Sequence, residues 1–383
     1  MIAHAWTPVI GGVETHLSDL VAELNRRRHE VTCLVGGPVS QIRIAGFMTY
    51  QSPALEVEAL ERVSLSSDLV AKLAHELAIR KILDFVLEAH RPDIVHMHNA
   101  DLGGPYLANA ILASTRARTA SCALINTVHD SASEMQDGQL VVPTIPWCRQ
   151  LYVSNFIRDA SPSTTNSEVL PLGIQLSRYS PAGPVHPSFD GLERPIVFHP
   201  ARPLPWKGLD VGLEAFISIR SKLGHGSLVV CEGRATPRRA DISEEVLKKL
   251  SLRAKVAGVA NYVHFQDFQY EEMASAYRAV DLVWYPTSGN EAFGLVPLEA
   301  MACGRPVIAS ASGGMLETMV PNVTGLIVAR GDAGALADAA IKLIIDVDLR
   351  EQIIFEGLRH VERFSLATYC DQLESVYRSL VTQ

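Results

Sequence analysis

The sequence predicts an α/β protein built from two doubly wound domains, and three observations support this fold class. Apolar runs of strand length alternate with amphipathic patterns of helix length along the 383 residues. The alternation stops in a proline-rich stretch at residues 179–195 and then starts again. The length also suits about two domains of ordinary size. We therefore expect a first domain over residues 1–178, a linker over 179–195 and a second domain from residue 196.

In the first half of the chain, helical segments separate short apolar runs. The predicted strands are Met1–Trp6, Val31–Val35, Ile94–Met97, Ala123–Val128 and Leu151–Ser154. The predicted helices lie between Val13 and Leu24 and over Ser67–Ala89. Because helices separate the strands, we expect a parallel sheet with helices packed on its faces.

The second half repeats this alternation more regularly. Its predicted strands are Ile196–His199, Ser227–Cys231, Tyr262–Phe265, Asp281–Tyr285, Pro306–Ser310 and Gly325–Val328. Its predicted helices are Leu209–Leu223, Glu244–Ala257, Glu271–Ala279, Leu295–Cys303, Ala333–Ile345, Leu349–Arg359 and Leu366–Leu380. Ligands of such folds bind at the carboxyl ends of the strands, so the loops that follow the strands are expected to hold the functional residues.

Composition excludes several classes of protein. The 34 basic and 42 acidic residues give a net charge of −8, which argues against a broad nucleic-acid surface. The 6 cysteines are scattered without a CxxC pair, so neither a disulfide scaffold nor a thiolate zinc site is expected. The sequence has no apolar run of membrane-span length and no signal-peptide pattern at its start. We expect a cytoplasmic protein.

The most informative segment is Gly289–Gly304, which follows a strand and opens a helix. Pro297 suits the first turn of that helix and Gly304 the position after its end. The backbone N–H groups of Phe293, Gly294 and Leu295 would then face outward at the positive end of the helix dipole. This arrangement is typical of an anion site.

Two carboxylates accompany this helix start, Glu291 before it and Glu299 inside the helix. Carboxylates repel phosphate, so their natural partners are hydroxyl groups, such as those of a sugar on one side and a ribose on the other. Alternatively, Glu291 caps the helix and Glu299 is a solvated side chain.

Two further loops follow strands. Arg202 and Lys207 lie on a loop rich in proline and glycine, where they would clamp a diphosphate or form a surface salt bridge. Gly11 and Gly12 precede the first helix, and they would allow close approach of a ligand or form a simple turn. The GxGxxG pattern is absent at this turn, which argues against a nicotinamide dehydrogenase.

Segments along nearly the whole chain resemble the retaining glycosyltransferases of family 4, and they occur in the order of that family. The segments are HAWTPVIGGVETHLSDLVAELNRRRHEV, PDIVHMH, NTVHD, VLPLGI, FHPARPLPWKGLD, VHFQDF and EAFGLVPLEAMACGRPVIASASGGMLETMVPNVTGLIV. The most specific is the Glu-x7-Glu block from Glu291 to Glu299. The resemblance implies the GT-B fold, in which two Rossmann-like domains face a cleft. It also implies that the final helix returns to the first domain, so that residues 365–383 complete that domain and the second ends at residue 364.

The resemblance further implies roles for the residues of the second domain. Glu299 matches the carboxylate that holds the ribose hydroxyls of the nucleotide, and Glu291 matches the acid that contacts the hydroxyls of the donor sugar. The backbone donors to sugar hydroxyls and phosphate correspond to Phe293, Gly294 and Leu295.

The remaining matches concern the diphosphate and the acceptor. Arg202 and Lys207 are similar to the pair that neutralises the leaving diphosphate, and Gly12 is similar to the loop glycine near it. His129 is similar to the histidine near the 6-position of the sugar and the acceptor. We expect His129 to position groups by hydrogen bonding rather than to act as a base.

The function implied by the resemblance is transfer of a sugar from a nucleoside diphosphate sugar to a hydroxyl group, with retention and without a metal or other cofactor. We expect UDP as the nucleotide, with GDP next, and a small hydroxylated acceptor such as another sugar or an aminocyclitol. A GT-B sugar-nucleotide epimerase and a non-catalytic nucleotide-sugar binding protein are the alternatives. The sequence does not indicate the oligomeric state.

The chain departs from the family pattern in three places. It has Gly173-Ile174-Gln175 where Gly-Val-Asp is usual, and Cys231-Glu232-Gly233 where Gly-x-Gly is usual. Its opening strand begins at Met1 itself, which leaves open whether the native start lies upstream. We expect these departures to affect local packing more than catalysis.

Three other patterns admit a functional interpretation that we do not favour. Asp346-Val347-Asp348 matches the Asp-x-Asp pattern of a manganese-binding motif, but we expect these residues to form a turn at a helix end. His96-Met97-His98 lacks nearby metal-ligating residues, and we expect it to line the cleft. Arg26–Arg28 would suit an anionic membrane, but a cluster of cations at a helix C-terminus explains it as well, and we do not expect membrane association.

Overall fold

A computed structural model describes residues 1–3, 11–44, 47–100, 104–116, 122–130, 145–162, 164–233 and 240–381. Their contacts divide the chain into two compact units. The first unit comprises Met1–Pro171 with Ala367–Gln383, and the second comprises Leu172–Leu366. The second half of the predicted strand Met1–Trp6, residues 4–6, lies outside the described residues.

The first unit contains one sheet of eight strands. The strands are β1 (Ile2–Ala3), β2 (Thr32–Gly36), β3 (Ser40–Ile44), β4 (Phe47–Ser52), β5 (Ile94–His98), β6 (Ala123–Val128), β7 (Arg149–Tyr152) and β8 (Ser167–Val169). The helices that precede the second unit are α1 (Gly12–Arg26), α2 (Val57–Leu65), α3 (Leu69–His90), α4 (Gly104–Arg116) and α5 (Asn155–Ala160). The strand order is β3-β4-β2-β1-β5-β6-β7-β8, and every pair is parallel except β3 with β4.

The antiparallel strand β3 is a correction to the all-parallel sheet that the sequence predicts. This strand forms the edge of the sheet, and Gln41, Ile42 and Arg43 are exposed on it. An exposed edge strand needs no buried run, so it lacks the hydrophobic signal that identifies the central strands. Its neighbour β4 buries Phe47 and Tyr50, and both strands were missed in the sequence.

The long helix predicted over Ser67–Ala89 is confirmed as α3. Its start is capped by Asp68, whose carboxylate accepts hydrogen bonds from the N–H groups of Val70 (2.8 Å) and Ala71 (3.1 Å). The helix buries Ile79, Leu83, Val86 and Leu87, which share one face. Among the described residues, no helix combines the length and the apolar character needed to cross a bilayer.

The second unit contains a parallel sheet of six strands. The strands are β9 (Ile196–His199), β10 (Ser227–Cys231), β11 (Val263–Gln266), β12 (Leu282–Tyr285), β13 (Val307–Ser310) and β14 (Leu326–Val328). Its helices are α6 (Leu209–Leu223), α7 (Ala240–Val256), α8 (Met273–Ala279), α9 (Leu295–Ala302), α10 (Met315–Thr318), α11 (Ala333–Ile345) and α12 (Val347–Val361). The strand order is β11-β10-β9-β12-β13-β14, so the first strand of the unit lies beside the fourth.

This order creates a topological switch point between β9 and β12. The connection from β9 runs to one side of the sheet, and the connection from β12 runs to the other. The loops that leave the two strands therefore diverge around a crevice at their carboxyl ends, which is where open α/β sheets bind ligands. The fold thus places the loops after His199 and Tyr285 side by side.

The predicted linker at 179–195 belongs to the second unit. Phe189 is buried and packs against Phe198 and Phe268, with ring centroids 6.0 and 5.7 Å away. Tyr179 is buried against Tyr277 at 6.1 Å. Although this segment is rich in proline, it packs against the second unit, because its aromatic side chains are buried in the core of that unit.

The last helix, α13 (Leu366–Val381), belongs to the first unit from Ala367 onward. Arg27 at the end of α1 forms an ion pair with Asp371 at 2.6 Å. The hydroxyl group of Tyr377 lies 2.7 Å from Nδ1 of His96 on β5. The return of the final helix to the first domain, which the family resemblance implies, is confirmed.

Candidate functional site

The switch point of the second unit brings together three side chains that are far apart in the sequence. Lys207 follows β9, Tyr285 ends β12, and Glu291 follows β12. The Lys207 ammonium group lies 2.8 Å from Oε2 of Glu291 and donates to the Tyr285 hydroxyl at 2.5 Å. Tyr285 in turn donates to the same Glu291 oxygen at 2.7 Å. We call these three residues the switch-point cluster.

The electrostatics of the switch-point cluster favour a charged lysine and a neutral tyrosine. Burial disfavours the Lys207 ammonium ion, but Tyr285 and Glu291 outweigh it and raise the pKa of Lys207 above its ordinary value. Burial, reinforced by Glu291, raises the pKa of Tyr285, which therefore keeps its proton and can donate. Lys207 and Tyr285 both donate to Oε2 of Glu291, so one carboxylate oxygen accepts both side-chain hydrogen bonds of the cluster.

The backbone around Glu291 is held by the segment that follows β13. The N–H of Glu291 donates to Oγ of Ser312 at 3.0 Å, and that hydroxyl donates to the Gly289 carbonyl at 2.7 Å. The Gly314 N–H donates to the Glu291 carbonyl at 2.8 Å. A Cβ at Gly314 would lie 2.1 Å from the Ala292 carbonyl oxygen, so this close approach requires glycine. Glu291 is not a helix cap, because Gly294 is the N-cap of α9 and no side chain caps that helix. The segment after β13 fixes the Glu291 backbone instead.

Helix α9 begins directly after this loop, as the sequence predicts. Gly294 is its N-cap at φ +98°, a left-handed conformation that favours glycine, and Leu295 is its first residue. Pro297 lies in the first turn, and Gly304 follows the end of the helix at φ +66°. Phe293 is buried, with its ring 6.1 Å from that of Phe364. The first turn of any helix lacks internal acceptors for its N–H groups, so it favours an anion.

Glu299, the second carboxylate of the Glu-x7-Glu block, lies one turn inside α9. The hydroxyl group of Tyr277 on α8 donates to its Oε2 at 2.8 Å. Burial and the charge of Glu299 raise the pKa of Tyr277 well above its ordinary value, so this tyrosine is a permanent donor. Glu299 is thus not merely a solvated side chain, because a buried tyrosine orients its carboxylate.

Arg202 lies on the same loop as Lys207. Its N-terminal neighbour Ala201 is buried, and Arg202 itself is half-buried. Its backbone approaches the turn after β10, where a Cβ on Gly233 would lie 3.3 Å from Cα of Arg202. Gly233 has φ +57°, so the sequence Cys231-Glu232-Gly233 still provides one left-handed glycine at this turn.

Gly208 connects the lysine to α6, and we expect its replacement to destabilise the second unit. Gly208 has φ +71°, and an added Cβ would lie 1.8 Å from the Pro286 carbonyl oxygen. The substitution Gly208→Ala is expected to lower the free energy of unfolding by about 2–4 kcal/mol. The alanine would have to adopt a left-handed φ, and the backbone at Pro286 would have to move away from its Cβ.

Urea unfolding of Gly208→Ala beside Gly224→Ala tests this expectation. Gly224 has φ +80°, but no described atom lies within 4 Å of its added Cβ. The free energy of unfolding of Gly224→Ala should therefore fall by only about 1–2 kcal/mol, which is the cost of placing an alanine in the left-handed conformation. Equal losses in the two variants would show that the loops after β9 and β12 are not in close contact.

The two predicted site residues of the first unit lie at strand ends or helix starts. Gly12 is the first residue of α1, after Gly11 as N-cap. His129 follows β6 and is buried, with its Nε2 atom 2.9 Å from Nδ1 of His98. Burial lowers the pKa of His129 well below its ordinary value, so the ring is neutral.

The metal-like and basic patterns have structural explanations. Asp346 caps α12 by accepting a hydrogen bond from the Leu349 N–H at 3.0 Å, which confirms the predicted helix-end turn. Arg26 and Arg27 both pair with Glu23, at 2.7 and 2.9 Å. In the described ranges, no three His, Cys, Asp or Glu side chains are grouped as metal ligands.

Sequence reasoning missed Tyr277, Tyr285 and Ser312, which orient the two glutamates. Tyr285 had one available signal, because it ends a strand that leads directly into the Glu-x7-Glu block. Tyr277 and Ser312 lie on other elements, 22 and 21 residues from the glutamates that they contact, and no local pattern marks them.

Comparison with known proteins gives two family models that together cover most of the chain. The model described as "Glycosyl transferase 4-like domain" matches residues 11–170, and "Glycosyl transferases group 1" matches residues 188–359.

Two curated relatives and one solved structure are similar over nearly the full length. A phosphatidyl-myo-inositol mannosyltransferase of Mycobacterium leprae is 24% identical over 98% of this chain and 94% of the relative. A GDP-mannose-dependent alpha-(1-6)-phosphatidylinositol monomannoside mannosyltransferase of Mycobacterium tuberculosis is 28% identical over 91% and 89%. A sucrose-phosphate synthase structure from Thermosynechococcus elongatus superposes with a TM-score of 0.76 at 20% identity, covering 100% of this chain and 99% of that one.

The matching models, the length of the alignments and the two α/β units agree with one another. The chain belongs to the family 4 glycosyltransferases of GT-B fold, and it is an enzyme that transfers a sugar.

Proposed function

We propose that this glycosyltransferase moves a sugar from a nucleoside diphosphate sugar to a hydroxyl group of its acceptor, with retention at the anomeric carbon and without a metal ion. The observation that supports this proposal most directly is the switch-point cluster. It places a cation and a carboxylate within 2.8 Å of each other, beside the start of α9. A donor of this kind needs both groups, because it has an anionic diphosphate next to a sugar rich in hydroxyl groups.

In this proposal the positive groups stabilise the leaving diphosphate. The difficult step is cleavage of the bond between the anomeric carbon and the phosphate oxygen, during which negative charge grows on the diphosphate. That charge would be stabilised by two cations, Lys207 and Arg202, and by the N–H groups of Gly294 and Leu295. Preorganised donors at a developing charge supply the largest catalytic term in many enzymes. Since these groups neutralise the diphosphate, the reaction has no need of a divalent cation.

The carboxylates would hold hydroxyl groups at the two ends of the donor. Glu291 would accept from sugar hydroxyls near the reacting carbon, because its Oε2 atom is already oriented by Tyr285 and Lys207. Glu299 would accept from the ribose hydroxyls, oriented by Tyr277. Gly12 would lie near the diphosphate.

Retention would follow from attack on the face that the leaving group vacates. The departing phosphate oxygen is then close enough to accept the proton of the acceptor hydroxyl, so no protein base is required. His129 would position sugar or acceptor hydroxyls by hydrogen bonding. Its neutral ring suits this role, since a neutral imidazole has one donor and one acceptor nitrogen.

The donor and the acceptor are proposed as classes. A UDP-sugar is our expectation from the sequence, and a GDP-sugar is supported by the M. tuberculosis relative, which is named as GDP-mannose-dependent. The names of both mycobacterial relatives refer to phosphatidylinositol, which supports an inositol-type cyclitol as the acceptor, free or as a headgroup.

A panel of UDP-, GDP- and TDP-sugars tests the proposal in two ways. Thermal shift identifies the nucleotide, because a ligand that binds only the folded chain raises its melting temperature. Release of nucleoside diphosphate, with and without myo-inositol and with and without EDTA, then measures turnover. We expect the cognate donor to release diphosphate in EDTA, with the sugar retaining its anomeric configuration in the product.

Other outcomes would select the alternatives. Conversion of the donor sugar to its epimer, without transfer to the acceptor, would indicate an epimerase. Binding without any turnover would indicate a nucleotide-sugar binding protein. Loss of all activity in EDTA, with recovery on addition of Mn²⁺, would overturn the metal-independent mechanism.

Replacement of Tyr277 by phenylalanine is expected to weaken donor binding without affecting the chemical step. The variant loses one hydrogen bond to Glu299, which corresponds to about a 5- to 20-fold increase in the Kd of the nucleoside diphosphate. Isothermal titration with the nucleoside diphosphate and with the free nucleobase measures the effect, since only a ligand with a ribose should respond. An unchanged Kd would remove Glu299 from the ribose site.

A further inference from the structure

Two histidines at neighbouring strand ends of the first unit form a directly hydrogen-bonded pair. His98 is the last residue of β5, and His129 follows the adjacent parallel strand β6. Nδ1 of His98 lies 2.9 Å from Nε2 of His129, and their ring centroids are 5.2 Å apart. Both residues are buried, with exposures of 1% and 3%. The shared hydrogen bond is therefore shielded from water.

The backbone of His129 is fixed independently of its ring. Asn99 has φ +55°, and its side-chain oxygen accepts hydrogen bonds from the N–H groups of His129 (2.6 Å) and Asp130 (3.3 Å). The N–H of Asn99 donates to the Thr127 carbonyl at 2.9 Å. Asn99 thus fixes the backbone at the start of the loop after β6. The orientation and the tautomer of the His129 ring must be set by other contacts.

The ring of His98 is also held in place. His96 stacks on it with centroids 4.3 Å apart and an interplanar angle of 26°. His96 is itself fixed at both nitrogens, by the hydroxyl group of Tyr377 at Nδ1 and by Oγ1 of Thr127 at Nε2, each at 2.7 Å. His98 therefore cannot turn away from His129 without disturbing this stack.

Counting protons shows what the pair imposes on His129. Burial, together with the neighbouring histidines, lowers the pKa of both rings, so each is neutral and carries one N–H. One of these two protons occupies the shared hydrogen bond. The other must then lie either on Nδ1 of His129 or on Nε2 of His98. If His98 donates, Nδ1 of His129 is a donor, and if His98 accepts, Nδ1 of His129 is an acceptor.

The outer nitrogens of the pair face away from the shared hydrogen bond. Nδ1 of His129 and Nε2 of His98 are both buried, and neither has a hydrogen-bond partner among the residues that the structure describes. Buried polar atoms are normally paired, so an orphan atom calls for an explanation. A hydroxyl group, which both donates and accepts, would satisfy Nδ1 of His129 in either form.

We propose that His98 is a positioning residue for His129: by sharing one proton it fixes the ring and determines whether His129 offers the substrate hydroxyl a donor or an acceptor. This inference rests on the proposed function for the role of His129 toward sugar or acceptor hydroxyls. The pairing itself rests only on the geometry of the first unit. His98 touches no reacting atom and acts through its neighbour.

Three variants of the full chain test the proposal. His98→Phe keeps a planar ring but removes the hydrogen bond. His98→Asn places an amide near the position of Nδ1, which can still hold His129 and can donate or accept. Thr127→Val is the matched control. It removes the hydrogen bond of 2.7 Å between Thr127 and Nε2 of His96, while Tyr377 still holds Nδ1 of His96 and the bond between His98 and His129 is left intact.

The first readout is the tautomer of His129, measured from the ¹⁵N shifts of its ring and assigned by the signals missing in His129→Gln. We expect a single tautomer in the wild type and in Thr127→Val, and a mixed or exchanged tautomer in His98→Phe. Unchanged His129 signals in His98→Phe would overturn the proposal. This readout requires no turnover, so it separates failure of the pairing from failure of the proposed function, which the donor panel on the wild type decides.

The second readout is kcat against KM for the cognate donor. We expect kcat of His98→Phe to fall about tenfold or more, with recovery in His98→Asn to within about threefold of the wild type. KM for the donor should change by less than about threefold, since the diphosphate and ribose contacts are untouched. Equal losses of kcat in His98→Phe and Thr127→Val would indicate general packing and would also overturn the proposal. If His98→Phe does not fold, His98→Asn decides the question. A tautomer of His129 and a kcat like those of the wild type would support the proposal, and a tenfold loss of kcat would contradict it.

Discussion

Replacement of Lys207 by alanine is expected to lower kcat/KM by about two to three orders of magnitude. The ammonium group is the cation of the switch-point cluster, and one preorganised contact to a developing charge is worth roughly this factor. The loss should appear mainly in kcat, because the charge on the diphosphate is largest in the transition state. Steady-state kinetics with the cognate nucleotide sugar measures it.

Two controls separate this effect from changes in charge or stability. Lys222→Ala removes another lysine of the second unit, an exposed one that forms a surface ion pair with Asp338 at 2.7 Å, and it should leave kcat/KM within about twofold. Lys207→Arg keeps the charge but not the compact geometry, so we expect partial activity. An unchanged kcat/KM in Lys207→Ala, with folding verified by thermal melting, would remove Lys207 from the mechanism.

Acidification is expected to destabilise both units through buried histidines. Burial lowers the pKa of His96 in the first unit to about 3, with smaller contributions from the N-terminal amine and His16. Burial and the charge of Lys207 lower the pKa of His199 in the second unit to about 3 as well. The unfolded chain therefore binds more protons than the folded chain between about pH 6.5 and 3.

The stabilisation from these neutral histidines is fully present above pH 6.5 and is lost as the pH falls toward 3. Each of the two should contribute a loss of about 2 kcal/mol of unfolding free energy between pH 6.5 and 4.5. Urea unfolding at several pH values measures the slope.

Single substitutions test which groups cause the slope. His96→Asn should reduce the pH slope of the first unit by about 1.4 kcal/mol per pH unit over this range, whatever its effect on absolute stability. His199→Asn should likewise reduce the pH slope of the second unit. A pH slope in His96→Asn equal to that of the wild type would contradict the assignment.

The sequence predicted the elements that bury most of their side chains. The six strands of the second unit and helix α3 were identifiable because central parallel strands are continuous apolar runs and long helices repeat their apolar positions. It failed at β3, an exposed edge strand without such a run, and at β4, whose buried side chains include the polar Thr49 and Ser52. It also assigned 179–195 to a linker, because proline content is visible in a sequence and the anchoring of Phe189 against Phe198 and Phe268 is not.

The candidate site shows the same division. Gly294, Pro297 and Gly304 are local signals, and they marked the start and end of α9 without any knowledge of the tertiary structure. The contact between Lys207 and Glu291 spans 84 residues, and it exists because β9 and β12 are neighbours in the sheet. Strand order is set by the packing of all the crossover helices, so no local pattern encodes it.

What the sequence determined by itself is therefore the chemistry available at each loop: two cations after one strand, two carboxylates around one helix start, and histidines at two strand ends. Which of these groups touch was decided only by the tertiary structure. Tyr285 joins Lys207 to Glu291, Tyr277 orients Glu299, and His98 meets His129 across 31 residues. The physical reason is that hydrogen bonds act over about 3 Å, whereas sequence patterns report only on burial and backbone conformation.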